Sequence, residues 1–395
     1  MSEAQRSTRA GRFVKQLAGY RSFIPTPLPP DPPLLLDRKF IFWLSNAEQA
    51  LGRLDGASAM LPNPDLFVAM YVRREAVLSS RIEGTESSLE DVLQYQIDAK
   101  GKSLPKDVGE VVNYVKAMNH GLERLSKLPL CNRLIREIHG VLLEGVRGGE
   151  RTPGEFRRSQ NWIGKEGSTI ETASFVPPAV HDMNDALGEF EKFLNDRSLF
   201  PPLVHCGLAH AQFETIHPFL DGNGRVGRLL IALLLCERGV LRRPLLYLSV
   251  YFKRNRTEYY KRLTAIRTAG DWEGWIVFFL RGVASVSREA TALATRILAL
   301  READRPRVDD SRFLDILFMQ PIVTVPYIAE RLSCTHRTAS LYLRKLLSFG
   351  LLSETTGYKR NRRFRYDAYL ALFESEDAIE EDEDPSDPDG LPRDW

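Results

Sequence analysis

The chain has 395 residues, 43% hydrophobic and 27% charged, enough apolar mass for two or three packed domains, which excludes a wholly disordered protein. Its strongest apolar run, residues 229–236, falls well short of the roughly 18 residues a membrane crossing needs, and no secretory leader is visible, so a cytoplasmic protein without membrane contact is expected. The formal charge of +2 conceals an acidic end: residues 374–395 hold eleven Asp and Glu against one Arg, which leaves a basic body suited to phosphates or nucleic acid, although a solvated tail has the same composition.

Residues 1–33 read as an arm, because six prolines among residues 24–33 favour an extended polyproline conformation. Helical patterning begins at Leu34. Asn63 suits a cap and Pro64 the first position of a helix that ends near Gly84, which places Glu83 at a helix end. Ser87 to Glu90 read as a capping box that opens another helix with Leu89, Leu93 and Ile97 on one face, so residues 34–105 form a helical N-terminal region. Within a core of residues 106–300, helical spacing recurs over 107–126, 131–145, 180–196, 202–216, 224–238, 257–269 and 271–300. The break at 152–178 has glycines, polar residues and a short β-prone stretch before two prolines, which predicts a loop with a hairpin. Residues 301–310 are charged, contain Pro306 and read as a linker. Three short helical patterns at 312–319, 325–332 and 335–349, then a two-stranded wing around 357–361, make residues 311–373 similar to a winged helix-turn-helix ahead of a disordered acidic tail at 374–395. Four isolated cysteines, Cys131, Cys206, Cys236 and Cys334, predict no disulfide framework.

Chemistry concentrates in residues 217–228, HPFLDGNGRVGR, placed between two predicted helices. Gly222 and Gly224 let backbone N–H groups converge on an anion at a helix N-terminus, where the helix dipole favours negative charge. Arg225 and Arg228, three residues apart on the first turn, put two guanidinium forks beside that nest. The Asp221 carboxylate could hold Mg²⁺ against substrate phosphates, and His217 can accept a proton near neutral pH. Metal-assisted phosphoryl or nucleotidyl transfer to a hydroxyl fits this set.

The segment resembles the signature of the Fic family, HxFx(D/E)GNGRxxR, with His217, Phe219, Asp221, Gly222, Asn223, Gly224, Arg225 and Arg228 at every defined position. The resemblance implies a mainly α fold: a helical core whose central helices flank the loop, with a β-hairpin flap over it, here followed by the winged helix domain. It further implies transfer of AMP from ATP to a Ser, Thr or Tyr hydroxyl of a target protein, with Mg²⁺ and ATP bound and pyrophosphate released. On this similarity His217 is the general base, Asp221 the metal ligand, and Phe219 the buried anchor of the loop. Asn223, the loop amides of Gly222 and Gly224, Arg225 and Arg228 would hold phosphates, Arg228 at the γ end.

Ser79 to Gly84, SSRIEG, matches the (S/T)xxxE(G/N) pattern of Fic proteins with an inhibitory helix. Glu83 would pair with Arg228 and Ser79 would brace the same face, displacing the γ-phosphate. Asn255, in the aromatic stretch 251–260, corresponds to an adenine-contacting position, though those aromatics also suit a core. The flap is expected near residues 174–177, with an exposed strand edge that aligns a target segment. His205, Cys206 and His210 lack further ligands at zinc spacing, and His120, His139, His181 and His336 read as structural. In the C-terminal unit Thr335, Arg337, Ser340 and Arg344 could face a DNA groove, with Lys359, Arg360, Arg362, Arg363 and Arg365 on phosphates; docking to protein, including a homodimer, fits the same pattern. A nucleotide-sensing regulator is the alternative to an enzyme.

Overall fold

The computed structural model describes residues 9–59, 64–98, 106–165, 167–198, 200–308, 310–358 and 361–374. The expectations for Asn63, Lys359, Arg360 and the acidic tail beyond residue 374 lie outside these residues.

The chain is mainly helical. Residues 9–37 are held against the core by a feature the proline-rich reading did not foresee, an antiparallel hairpin of β1 (Gly11–Lys15) and β2 (Arg21–Pro25) that buries Phe23. Arg9, beside it, grips Glu273 with two bonds of 2.8 and 2.9 Å. Helix α1 (Arg38–Ala59) lies along α11 (Trp272–Asp304), and between them in sequence come α2 (Pro64–Ile82), α3 (Leu89–Asp98), α4 (Lys106–Leu125), α5 (Asn132–Leu142), α6 (Val180–Asn195), α7 (Pro202–Ile216), α8 (Asn223–Glu237), α9 (Ser249–Arg254) and α10 (Arg256–Ala269). Pro64 opens α2 and Gly84 (φ 91°) follows its end, as the start and stop residues indicate. The capping box of α3 sits one residue later than its sequence reading. Ser88 Oγ accepts from the Asp91 N–H at 3.1 Å, and Asp91 Oδ2 accepts from the Ser88 N–H at 2.9 Å, because a short Asp side chain reaches back as Glu90 was expected to.

Two helices form the centre. Every residue of α7 from Leu203 to Ile216 is buried, and α8 is buried from Arg225 to Leu235, so both are enclosed on all sides and rigidly fix whatever stands at their junction. That junction is the loop of residues 217–222.

The linker expected at 301–310 begins inside α11, which runs to Asp304 and ends in a 3-10 turn at Arg305–Arg307. The charges that suggested a linker instead pair locally: Arg301 with Asp315 at 2.8 Å and Arg307 with Asp304 at 3.2 Å, while Tyr366 Oη donates to Asp304 at 2.5 Å. Beyond it follow α12 (Ser311–Met319), β3 (Ile322–Thr324), α13 (Val325–Arg331), α14 (His336–Ser348), β4 (Ser353–Glu354), β5 (Arg363–Arg365) and α15 (Asp367–Glu374), with the strands ordered β3-β5-β4. This C-terminal unit docks on the N-terminal helices: buried Gln320 donates to the Leu93 carbonyl of α3 at 2.8 Å, and Arg73 of α2 donates to the Met319 carbonyl at 2.8 Å. Arg363 donates to Gln94 at 3.2 Å and Arg365 pairs with Glu90 at 3.6 Å, so part of the basic segment around β5 turns onto α3. Among the described residues no helix is long and apolar enough to cross a membrane.

Candidate active site

His217 caps α7 in the left-handed conformation (φ 49°, ψ 60°), its N–H donating to the Phe213 carbonyl at 2.9 Å. Gly222 (φ 76°) turns the chain again at the start of α8, in a conformation that a side chain disfavours. The first helical bond of α8 runs from Val226 N–H to the Gly222 carbonyl, which leaves the N–H groups of Asn223, Gly224 and Arg225 without helical acceptors.

The loop carbonyls are drawn into the protein. The His217 carbonyl accepts from Arg157 Nε at 3.1 Å and Asn161 Nδ2 at 3.3 Å; the Pro218 carbonyl accepts from the Arg157 N–H at 2.9 Å. The Phe219 carbonyl accepts from Asn161 Nδ2 and Asn223 Nδ2, both at 2.8 Å. His139 Nδ1 accepts from the Gly154 N–H at 2.9 Å, so its Nε2 carries the proton and donates to the Asp221 carbonyl at 3.1 Å. Burial pushes the His139 pKa down to about 4, which keeps the neutral tautomer this pattern needs. With its carbonyls tied back, the segment is free to present N–H groups and the positive end of α8 to an anion.

Each residue of the signature has a distinct place. Phe219 is fully buried and stacks on His139 with ring centroids 3.7 Å apart. Asn223 is buried and closes the loop on Phe219, accepting its N–H at 2.9 Å while donating to its carbonyl. Arg225, 1% exposed, is directed at Glu110 of α4, 3.1 Å away, and Glu110 also takes Arg147 at 3.2 Å and Thr85 Oγ1 at 3.0 Å. Asp221 Oδ1 accepts from the Gly222 N–H at 2.6 Å, and Oδ2 has no partner among the described residues. Gly148 (φ 84°) makes room for that carboxylate, since a Cβ there would lie 2.6 Å from Oδ2.

Arg228 is buried against the end of α2. Its Nε donates to Ser79 Oγ at 2.7 Å, and its Nη2 donates to the Ser79 carbonyl at 3.0 Å and to Glu83 Oε1 at 2.8 Å. Glu83 thereby sits over the first turn of α8, where a Cβ on Gly224 would lie 2.3 Å from its Oε1. Partial desolvation opposes ionisation of Glu83, whose side chain is 34% exposed, yet the Arg228 charge and hydrogen bond, with Arg225 beyond, hold its carboxyl below the usual range. For His217, burial together with the Arg267 and Arg157 charges pushes the pKa down to about 3 against an opposing pull from Glu83, so the imidazole is neutral at physiological pH. Its Nδ1 is buried, which leaves Nε2 for proton acceptance. Three residues away, burial pushes the Glu214 carboxyl up to about 7 despite the Arg228 charge.

Asn255 stands between α9 and α10 with Nδ2 donating to the Tyr251 carbonyl at 3.0 Å. Of the neighbouring aromatics, Phe252 and Tyr259 stack 4.5 Å apart in the core, whereas Tyr260 is 42% exposed. The expected flap edge differs from its sequence reading: Phe175 and Val176 are buried, Phe175 pairs with Ile163 through bonds of 2.8 and 3.1 Å, and the Val176 carbonyl accepts from Phe23 of β2 at 2.9 Å. His210, in the rejected zinc set, bridges the Gly227 carbonyl and Tyr259 Oη, each at 3.0 Å. Sequence reasoning missed Arg157, Asn161, Arg267 and Glu110, and it left His139 without a role; all lie outside the signature, and none carries a periodicity or spacing that sets it apart.

Residues 42–123 match the model described as Fic/DOC family N-terminal, and residues 129–235 that of the Fic/DOC family. Similar curated proteins include protein adenylyltransferase Fic of Drosophila grimshawi, 29% identical over 270 residues that cover 65% of this chain and 49% of that protein. Protein adenylyltransferase Fic of Aedes aegypti is 32% identical over 204 residues, covering 50% of this chain and 37% of that one. The chain thus spans half or less of the length of these relatives. A crystal structure of a Fic family protein from Desulfovibrio desulfuricans superposes with a TM-score of 0.56 at 20% identity, over 85% of this chain and 97% of that one. One of a Fic domain containing signaling protein from Bacteroides thetaiotaomicron gives 0.51 at 18% identity, over 64% and 97%. These likenesses establish the fold. With both family segments matched and the signature placed between α7 and α8, the chain belongs to the Fic/DOC family.

Proposed function

We propose that the chain is a protein adenylyltransferase that moves AMP from ATP to a Ser, Thr or Tyr hydroxyl of a target protein and of itself. The observation that carries this reading is the neutral His217 imidazole at one lip of a loop whose other lip is an anion-receptive helix N-terminus with a buried arginine. In the reaction the hydroxyl oxygen bonds to the α-phosphorus, the bond from that phosphorus to the α,β-bridging oxygen breaks, pyrophosphate leaves, and the hydroxyl proton passes to His217 Nε2. The amides of Asn223, Gly224 and Arg225 donate to phosphate oxygens, the Gly222 amide being taken by Asp221 Oδ1 at 2.6 Å, and Arg228 receives the γ end once Glu83 withdraws. Arg225 acts through charge from its buried place on Glu110. Asn223 acts by holding the loop, and Asn255 would contact the adenine on leaving the Tyr251 carbonyl.

Asp221 fits Mg²⁺, which commonly takes a single protein carboxylate together with phosphates and water; its Oδ2 is open and Gly148 clears the space around it. Bound there, the metal would neutralise phosphate charge. Among the described residues there is no cluster of three or more potential ligands.

Glu83 is the autoinhibitory group in this reading, with Ser79 bracing Arg228. A DNA- or protein-binding role for the C-terminal unit, as a winged helix, is favoured by one observation: Arg337, Leu341 and Arg344 stand exposed on α14 while other faces dock α2 and α3. The test of the main reading is the position of the label. Incubation of the Glu83→Gly variant with Mg²⁺ and ATP labelled in the α-phosphate should label protein, and label in the γ-phosphate should not; the reverse would indicate a kinase.

A further inference from the structure

Arg157 lies in the connection between α5 and α6, is 1% exposed, and spends its donors on backbone carbonyls. Its Nε reaches His217 at 3.1 Å, its Nη2 Pro178 at 2.5 Å, its Nη1 Ser159 at 3.3 Å, and its own N–H Pro218 at 2.9 Å. No carboxylate is among these partners. A buried guanidinium without a counter-ion carries a large desolvation cost, which an amide making the same tie would avoid, as Asn161 does next to it. Burial lowers the Arg157 pKa only to about 10, so the charge persists at neutral pH.

Both ends of the grip matter for function. Pro178 directly follows the flap, residues 161–177, which the Ile163–Phe175 bridge closes, and His217 is the residue on which the base stands in a left-handed cap. Arg267 makes a second tie between the same parts: its guanidinium lies 3.8 Å from the centre of the Phe175 ring and donates to the Glu214 carbonyl at 3.1 Å. Fixing the cap orients the imidazole, and a 1 Å misplacement of such a group can cost about 10²-fold in rate.

We infer that Arg157 is a positioning residue for His217: it fastens the cap that carries the base to Pro178, at the exit of the flap, so that the imidazole keeps the orientation that proton transfer needs. The inference rests on His217 being the general base. A merely structural Arg157 would affect folding and nucleotide binding together, whereas a positioning role acts on turnover and on the environment of the imidazole. The charged groups that act on that imidazole are Arg267, Arg157 and Glu83, and the Glu214 backbone bonds to the ring.

The test compares Arg157→Gln and Arg157→Lys in the Glu83→Gly background with ATP and Mg²⁺. Arg157→Gln should lower kcat about 10²-fold with KM for ATP within about 2-fold, and Arg157→Lys, which keeps the charge, should recover about 10-fold of the loss. Turnover of Arg157→Gln within about 3-fold of its parent, or a loss confined to KM, would overturn the inference. A second measurement is independent of turnover: the His217 imidazole is titrated by ¹⁵N NMR in the same variants and assigned by its absence in His217→Ala. Loss of the neighbouring charge should raise the His217 pKa in Arg157→Gln and leave it unchanged in Arg157→Lys; no rise in Arg157→Gln counts against the inference. If the Glu83→Gly parent transfers no AMP, the adenylyltransferase reading fails and the titration alone decides this one. If Arg157→Gln does not fold, Arg157→Lys decides it, with reduced kcat at unchanged KM supporting the inference and parental kcat overturning it.

Discussion

The Glu83 carboxylate stands 2.8 Å from Arg228 Nη2, over the first turn of α8, in a space that exists because residue 224 is glycine. A helix N-terminus and a buried guanidinium are the features that bind phosphate, and here a carboxylate carried by the chain occupies them. Its tether to α2 gives it a high effective concentration. Because Arg228 holds its pKa below the ordinary value, the carboxylate remains ionised and the contact persists throughout the neutral range.

On the proposed mechanism, replacing His217 by Ala should reduce AMP transfer about 10²- to 10⁴-fold while ATP binding changes little, since the ring would accept the proton and the phosphates would lie across the loop. Calorimetric titration with ATP beside a labelling assay checks this, in the Glu83→Gly background. Undiminished labelling would remove His217 from the chemistry.

Asn223→Ala deletes both hydrogen bonds that close the loop on Phe219 and leaves the buried Phe219 N–H without its acceptor, while the carbonyl keeps Asn161. The expected cost is about 1–3 kcal/mol of stability, read as a lower denaturant midpoint at unchanged m-value, with transfer reduced because the amides lose their arrangement. A midpoint equal to wild type would mean that other contacts suffice to hold the loop.

Stability should fall as the pH is lowered from about 6.5 toward 4. Four histidines have depressed pKa values in the folded chain, about 4 for His139, His205 and His210 and about 3 for His217, so the unfolded chain takes up their protons first. Their contribution is complete above the unfolded value and is lost as the pH falls through the folded ones. Glu75 and Glu214, each raised to about 7, act in the opposite sense, their contribution complete below the unfolded carboxyl value and lost as the pH rises through about 7. Four groups outweigh two, so the midpoint of thermal unfolding should drop between pH 6.5 and 4.5; a midpoint that rises over that interval would show that the carboxyls dominate.

Much of this loop is legible in the sequence because His217, the glycines and the arginines come from one continuous stretch and have few other reasons to adjoin there. Helix limits at Pro64 and Gly84 are legible because their backbone preferences are local. The carbonyl donors are a different matter. Arg157, Asn161 and His139 reach the loop from 56 to 82 residues away, and their effect exists only once the chain has folded. The N-terminal hairpin escaped for a similar reason: β1 and β2 are five residues each, and β2 is held by Phe23 against Phe175 rather than by its own alternation. In the basic segment around β5, composition shows the arginines, but not that Arg363 and Arg365 face Gln94 and Glu90.

If α14 meets DNA, the double variant Arg337→Ala, Arg344→Ala of the full chain should bind duplex DNA more weakly at every sequence tested, with a shallower dependence on salt. Electrophoretic mobility shifts at two salt concentrations measure both effects. Equal shifts for variant and wild type would exclude this helix as the contact.

The most direct measurement of the central claim compares AMP incorporation from α-labelled ATP and Mg²⁺ by wild type, Glu83→Gly, and Glu83→Gly combined with Arg228→Ala. Removal of the carboxylate opens the guanidinium and the α8 N-terminus to the γ-phosphate, and correct orientation of the α-phosphate is worth on the order of 10²-fold or more in rate. Incorporation should therefore rise by at least that order in Glu83→Gly and collapse in the double variant, which has lost the phosphate-binding group. Incorporation by Glu83→Gly equal to or below that of wild type would contradict the account.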